Sequence, residues 1–500
     1  MDFEARTKNT ETKEENLDPV DWNGLKKLGI QMVEDMMVYL EHVRDRPVWQ
    51  PIPDEVKEFF TKPLPEKPEG PNVTYRDFLK YVQPYPPGNI HPRFWGWVIG
   101  TGTPFGMLAE MLAAGLNPNV GGGDHIANYV EIQVINWFKE IMGFPDTASG
   151  LLVSGGSMAN LVGLTVARNQ KAGFDIRKLG VNNSPKPMTF YGSVEMHSSL
   201  QKAIELLGLG DNALRKIPVN ENYQIDIESL KTRISEDRDN GYLPLCIIGN
   251  AGTVNTGAFD NLNSLADICV KEDIWFHIDG AFGALAILSE KMKWIVSGMS
   301  KADSLAFDLH KWMYMPIEVG CALIRQEEDH RRAFSLTPDY LEHATRGLSG
   351  GKTWFSDYGI QLSRGFRALK VWMSLKEHGI LKYGRVIQQN IDQAQYLANL
   401  IKSTPVLDLL APVPLNIVCF RYLSDRLPES SLNDLNRELL LRLQESGVAV
   451  PSNTMLNGRY ALRVAITNHR SQRKDFDILV ESIVKIGNEL LHSSSVQKNP

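Results

Sequence analysis

Cysteine is scarce in this chain, with four in 500 residues: Cys246, Cys269, Cys321 and Cys419. They stand far apart, without CxxC or CxxH spacing, which argues against a disulfide framework and against a metal centre. Three lie in apolar runs (LCIIG, GCALI, IVCF), the usual setting of buried structural thiols in a reducing compartment. No run of about 18 apolar residues occurs, so no transmembrane helix is expected. The opening segment MDFEARTKNTETKEENL is polar and is not followed by the apolar stretch of a secretory signal. The expected address is the cytoplasm. A charge excess is lacking too: 53 Lys+Arg stand against 59 Asp+Glu, a net charge of −6. That balance argues against nucleic-acid and membrane-surface binding and favours a small-molecule partner.

What is present is an ordinary globular composition, 43% hydrophobic and 22% charged, enough to bury a large core. DWNGLKKLGIQMVEDMMVYLEHVRD spaces its apolar residues as a helix does. A proline-rich stretch from Pro47 to Pro92 follows, in which long helices cannot form. It has no core of its own, so residues 1–105 read as an arm that packs on the main body or on a partner subunit. From about residue 106 strands alternate with helices: GLLVSGG, PMTFYGS, LCIIGNAG, WFHIDGA, DSLAFDLHKW and CALIRQ are the apolar strands. This pattern predicts an α/β fold with a mostly parallel sheet covered by helices on both faces, over residues 106–375. Residues 376–500 read as a small C-terminal α/β domain. Ligands of such sheets bind beyond the carboxyl ends of the strands, and the functional residues are expected there.

Four strand exits carry chemistry. SLAFDLHKW places Lys311 just past an apolar strand, beside His310. WFHIDGAFGA puts a lone carboxylate, Asp279, at the end of another. GLLVSGGSMANL is a strand, a Gly-Gly turn and a serine opening a helix, whose free N–H groups suit a phosphate. It matches neither a Walker loop nor GxGxxG. SVEMHSSLQKA brings His197 to a strand-to-helix junction. Each alone has a plainer reading: a solvated lysine, a capping carboxylate, a tight turn, a surface histidine. An amine and a carboxylate together are what pyridoxal phosphate requires, one to bind its aldehyde and one beside its ring nitrogen.

The order GGS, MHSS, HIDGA, HKW resembles that of the group II pyridoxal-phosphate-dependent decarboxylases, most of all the aromatic-L-amino-acid decarboxylase branch. NIHPRFWGW, GTVNTGAFD and RGFRALKVW extend the likeness from about Asp21 to Leu491. The resemblance implies an aspartate-aminotransferase-like architecture (PLP fold type I), pyridoxal 5′-phosphate as cofactor and a homodimer whose arms embrace. It further implies that Lys311 is the Schiff-base lysine, with His310 its neighbour near the phosphate. Asp279 matches the pyridinium partner, and Ala281 the residue on one ring face. His197 matches the histidine on the other face, which also helps hold the substrate carboxylate. Gly156 and Ser157 match the phosphate turn, and Thr253 lies in the segment near the ring oxygen. Asp308 joins the cofactor-binding set, although many members have asparagine there. Val254 stands where a threonine is common, and Leu309 where proline is frequent. Trp97, Val98 and Ile99 match the substrate-pocket wall. Tyr340, in PDYLEH, matches the tyrosine that returns a proton to the substrate Cα.

The implied activity is decarboxylation of an L-amino acid, aromatic by the character of that wall, to the amine and CO2. The alternatives are decarboxylation of glutamate or cysteine sulfinate, or another reaction of the same fold: aldehyde synthesis, transamination or lysis.

Overall fold

The computed structural model describes residues 15–336 and 344–496. The chain forms two compact units, one from residues up to 43 together with 52–85, the other from 44–51 together with 86 onward. The first unit is helical. Its long helix, Trp22–Glu41, starts at Asp21, whose Oδ1 accepts the Gly24 N–H at 2.9 Å. That bond satisfies one of the donors a first turn leaves free. The proline-rich stretch allows only short helices, Asp54–Phe59 and Pro71–Asp77. Pro71 occupies the first turn of its helix, where no N–H is needed. Tyr75 donates to Asp35 Oδ2 at 2.7 Å, and Phe59 stacks on Tyr81.

The second unit carries the strands. β1 (Phe94–Trp95) comes first, followed by β2 (Ser149–Val153), β3 (Met188–Ser193), β4 (Leu214–Ile217) and β5 (Leu243–Asn250). β6 (Trp275–Asp279), β7 (Ser304–Asp308) and β8 (Gly320–Ile324) come next. β2 to β8 form one sheet in the order β2-β8-β7-β6-β5-β3-β4. The pairings from β7 through β4 are parallel, whereas β8 runs antiparallel to both β7 and β2. The two reversals cancel, so β2 points the same way as β7. Alternate residues of β5 enter different apolar clusters. Ile247 joins Leu265 and Ile278, while Cys246 and Ile248 join Leu164 and Leu200. Both faces are therefore covered, which is why these strands read as continuous apolar runs.

β9 (Leu407–Leu409), β10 (Ile417–Tyr422), β11 (Val450–Leu456) and β12 (Arg459–Ala465) join β1 in a second sheet, ordered β1-β11-β12-β10-β9. Asn457 and Gly458 connect β11 to β12 with positive φ at both residues, the two-residue turn that an Asn-Gly pair favours. β1 pairs in parallel with β11. Trp95 also stacks on Phe476 at 4.8 Å and donates to Ser471 Oγ at 3.0 Å. The segment around β1, which the sequence groups with the arm, is thus built into the C-terminal sheet. The four cysteines are buried and free. Among the described residues no helix is long and apolar enough to cross a membrane.

Candidate active site

β2, β3, β6 and β7 all end at one edge of the large sheet. A cavity of about 350 Å³ opens there, where sheets of this kind bind ligands and within the usual size of a cofactor site. β7 ends at Asp308 and turns into one helical turn, Leu309–Trp312, that carries His310 and Lys311. Lys311 Nζ lies 2.9 Å from Asp308 Oδ2. His310 Nδ1 is 2.9 Å from the Val319 carbonyl and 3.2 Å from its N–H. β6 ends at Asp279, whose Oδ1 accepts the Ala281 N–H at 3.1 Å and whose Oδ2 accepts from Asn160 Nδ2 at 3.1 Å.

β2 leads through Ser154 and Gly155 into the helix Gly156–Lys171. A Cβ on Gly156 would come within 2.9 Å of Asp308 Oδ2, so a larger residue there would have to displace that carboxylate. His197 caps the helix Ser198–Leu206, its Nδ1 accepting the Ser199 N–H at 3.2 Å. Burial lowers the His197 and His310 pKa values from the ordinary imidazole range. Burial raises that of the Asp279 carboxyl, against the pull of Lys311, His197 and its two N–H donors.

The structure therefore brings Gly156, Ser157, His197, Asp279, Ala281, Asp308, His310 and Lys311 to one cavity. It does not bring Thr253, Trp97, Val98 or Ile99 to its lining. The Thr253 hydroxyl is engaged within its own turn, accepting from the Ala258 N–H and bonded to Thr256. Trp97 is 61% exposed, while Val98 is buried. The backbone at Gly100, next to Ile99, is close to that of the lysine: a Cβ there would collide with the carbonyls of His310 and Lys311. Tyr340 lies outside the described residues. Asn160, Ser199 and Glu318 line the cavity and were not foreseen. Asn160 follows Gly156 by one helical turn in an otherwise apolar stretch, a placement that could have flagged it. A larger groove of about 950 Å³ runs beside the helix Glu327–Phe334, but it holds none of these residues.

Comparison with known proteins gives the family. Residues 53–423 match the model of the pyridoxal-dependent decarboxylase conserved domain. The chain belongs to that family. An aromatic-L-amino-acid decarboxylase from Bacillus atrophaeus is 35% identical over 93% of this chain and 96% of its own length. A phenylacetaldehyde synthase from Arabidopsis thaliana is 28% identical over 95% of this chain and 98% of its own. The structure of an Oryza sativa decarboxylase holding pyridoxal phosphate and tryptamine superposes with a TM-score of 0.87, at 23% identity, over 95% of this chain and all of that one. The fold is thus PLP fold type I, and the protein is a pyridoxal-phosphate-dependent amino-acid decarboxylase.

The residues at the cavity suit that cofactor. The glycine at position 156 leaves a cradle that a Cβ would fill, at a helix N-terminus able to receive a phosphate. An amine and a buried carboxylate share the same space.

Proposed function

We propose that the protein removes the carboxyl group of an aromatic L-amino acid (tyrosine, phenylalanine, tryptophan or dihydroxyphenylalanine) and releases the amine. The observation that carries the reading is the convergence of Lys311, Asp279 and His197 on one cavity beside the Gly156 turn. Bound pyridoxal phosphate supplies an aldehyde for the substrate amine and a ring that accepts the electron pair freed at Cα. Lys311 contributes the amine that holds the cofactor and gives way to substrate. Asp279 supplies negative charge for the ring nitrogen, in a buried position where a charge acts more strongly than in water. Ala281 and His197 would flank the ring, and Gly156, Ser157 and His310 would receive the phosphate. The balance is simple: the Cα–carboxyl bond breaks, CO2 leaves, and Cα takes up one proton, for which Tyr340 is the proposed donor.

Two things support an aromatic substrate. One is the high identity to a relative named for that activity. The other concerns Arg93, the nearby cation an acidic side chain would need. Its Nε donates to the Val448 carbonyl at 2.6 Å, and its Nη1 lies 3.8 Å from Asp475, so it is already engaged. A cytoplasmic location completes the proposal, in keeping with the four free thiols. The test is kcat/KM for each of the four aromatic amino acids, glutamate and cysteine sulfinate. An advantage for either acidic substrate of about tenfold, roughly 1.4 kcal/mol of discrimination, defeats the aromatic assignment.

A further inference from the structure

Behind Asp279 runs a line of buried side chains, each inside one of the four strand-exit motifs but without a role in the sequence reading. Trp275 Nε1 donates to Ser304 Oγ at 2.8 Å. Ser304 Oγ lies 2.8 Å from His277 Nδ1, and His277 Nε2 lies 2.9 Å from Asn160 Oδ1. The Asn160 amide then reaches two acceptors, Asp279 Oδ2 at 3.1 Å and Ser199 Oγ at 3.3 Å. Ser199 Oγ is in turn 2.8 Å from His197 Nδ1. Trp275, Ser304, His277, Asn160, Ser199 and Asp279 are all buried.

The direction of every bond follows from the two ends. An indole N–H can only donate, so Ser304 accepts from Trp275; a carboxylate can only accept, so Asn160 turns its NH2 group to Asp279 and its carbonyl to His277, whose bare Nδ1 takes the Ser304 proton. His277 then carries its proton on Nε2 and donates to the Asn160 carbonyl. The same Asn160 NH2 group faces Ser199. The far end agrees independently. The Ser199 backbone N–H also donates to His197 Nδ1, so that nitrogen is bare, the Ser199 hydroxyl donates to it, and Ser199 Oγ is free to accept from Asn160. Full burial lowers the His277 pKa to about 3, so the ring stays neutral and the chain keeps one polarity. Packing holds the ring in place: a Cβ on Gly163, one turn after Asn160, would lie 2.7 Å from it.

We infer that Asn160 and His277 are positioning residues that fix the cofactor's two protein partners at once. They hold Asp279 as an oriented, hydrogen-bonded carboxylate and His197 as the tautomer protonated on Nε2. A buried carboxylate without such donors favours its neutral form, which would leave the ring nitrogen without its charge. The inference rests on Asp279 facing that nitrogen.

The experiment compares His277→Phe, His277→Gln, Asn160→Leu and Asn160→Asp with the wild type and with Asp279→Asn. Cofactor affinity of the apoenzyme is read by fluorescence quenching, the visible spectrum of the bound cofactor is recorded, and folding is followed by circular dichroism. His277→Phe and Asn160→Leu should weaken cofactor binding by about tenfold or more and alter the spectrum, as loss of a buried hydrogen-bond partner does. His277→Gln keeps a donor toward Asn160 and an acceptor toward Ser304, and should restore both readouts to near wild type. Wild-type binding and spectrum in folded His277→Phe overturn the inference, as does a His277→Gln variant damaged as badly as His277→Phe. Should His277→Phe not fold, Asn160→Asp decides. It keeps the side-chain size but sets a second carboxylate against Asp279, so unchanged binding there also overturns the inference. If Asp279→Asn itself changes neither readout, the role of Asp279 fails first. If Asp279→Asn is damaged while the Asn160 and His277 variants are not, only the chain fails.

Discussion

Lys311 Nζ and Asp308 Oδ2 lie 2.9 Å apart at the end of β7, three residues apart in sequence. The same carboxylate is hemmed in by Gly156 and Gly320, whose Cβ atoms would come within 2.9 and 2.7 Å of its oxygens. Asp308 therefore holds the ammonium that must reach the cofactor and also sets a negative charge beside the turn proposed for the phosphate. Both effects oppose cofactor entry. Asp308→Asn is predicted to speed uptake of pyridoxal phosphate by the apoenzyme about fivefold, the value of ~1 kcal/mol of charge interaction. The absorbance change after mixing gives the rate. Slower uptake contradicts the prediction.

Arg364 and Glu131 form an ion pair buried on both sides. Arg364 also donates to the carbonyls of Val120 at 2.7 Å and Leu152 at 2.6 Å, tying the segment before the helix Ile126–Met142 to β2 just ahead of the Gly156 turn. Removing one partner strands a buried charge. Arg364→Leu or Glu131→Leu alone should each cost about 3–5 kcal/mol, and the double variant less than the sum. Urea unfolding measures all three. Additive losses would mean that the pair does not act as a unit.

The sequence made the strand exits legible because each motif is local. An apolar run followed by Asp, His or Lys marks a residue emerging from the sheet, and Lys311, Asp279, His197 and Gly156 all meet. The pairing of β1 with β11 was not legible, since Phe94 and Val450 carry no local sign of each other. Nor was the Asn160–His277 contact, which joins the middle of a helix to the middle of a strand. In sequence His277 is merely a polar residue in an apolar strand. Only the folded sheet brings it to Asn160. The substrate wall was read at Trp97 to Ile99, yet these residues do not line the cavity of the single chain.

His330 is buried, with Nδ1 at 2.8 Å from Ser149 Oγ, and burial pushes its pKa from 6.5 down to about 3. The unfolded chain protonates this ring near pH 6.5, whereas the folded chain does so only near 3. Between those values the unfolded state binds more protons, so this contribution is full above pH 6.5 and is lost as pH falls. In His330→Phe the loss of stability with falling pH should be shallower than in the wild type, by up to ~1.4 kcal/mol per pH unit. Equal slopes between pH 6.5 and 4 in denaturant titrations would rule this out.

The helix Trp22–Glu41 leaves Trp22, Leu25, Ile30, Met32 and Val38 exposed, and the helix Pro104–Leu116 leaves Met111, Leu112 and Leu116 exposed. Apolar surface of this kind on a globular protein marks an interface. A homodimer near twice 56.2 kDa is predicted, with the arm contributing to the contact. Analytical ultracentrifugation gives the mass. A fully active monomer is the result that excludes it.

Once CO2 has left, Cα must be protonated, and a positioned acid decides between amine and other products. The family matches include both outcomes by name, decarboxylases and a phenylacetaldehyde synthase. Tyr340, the proposed donor, stands in PDYLEH, outside the described residues. Phenylalanine removes the phenolic proton and little else. Tyr340→Phe should therefore bind pyridoxal phosphate and substrate as before while its amine formation falls by about 10²-fold or more, the usual worth of a general acid. Without that proton the electron-rich carbon is open to O2, and the expected products are the aldehyde, ammonia, CO2 and hydrogen peroxide, formed with consumption of one O2 and one water. Chromatography of amine and aldehyde, with a peroxide assay alongside, reads the partition. Amine production near the wild-type rate would remove Tyr340 from the mechanism and leave the proton donor to another group at the cavity.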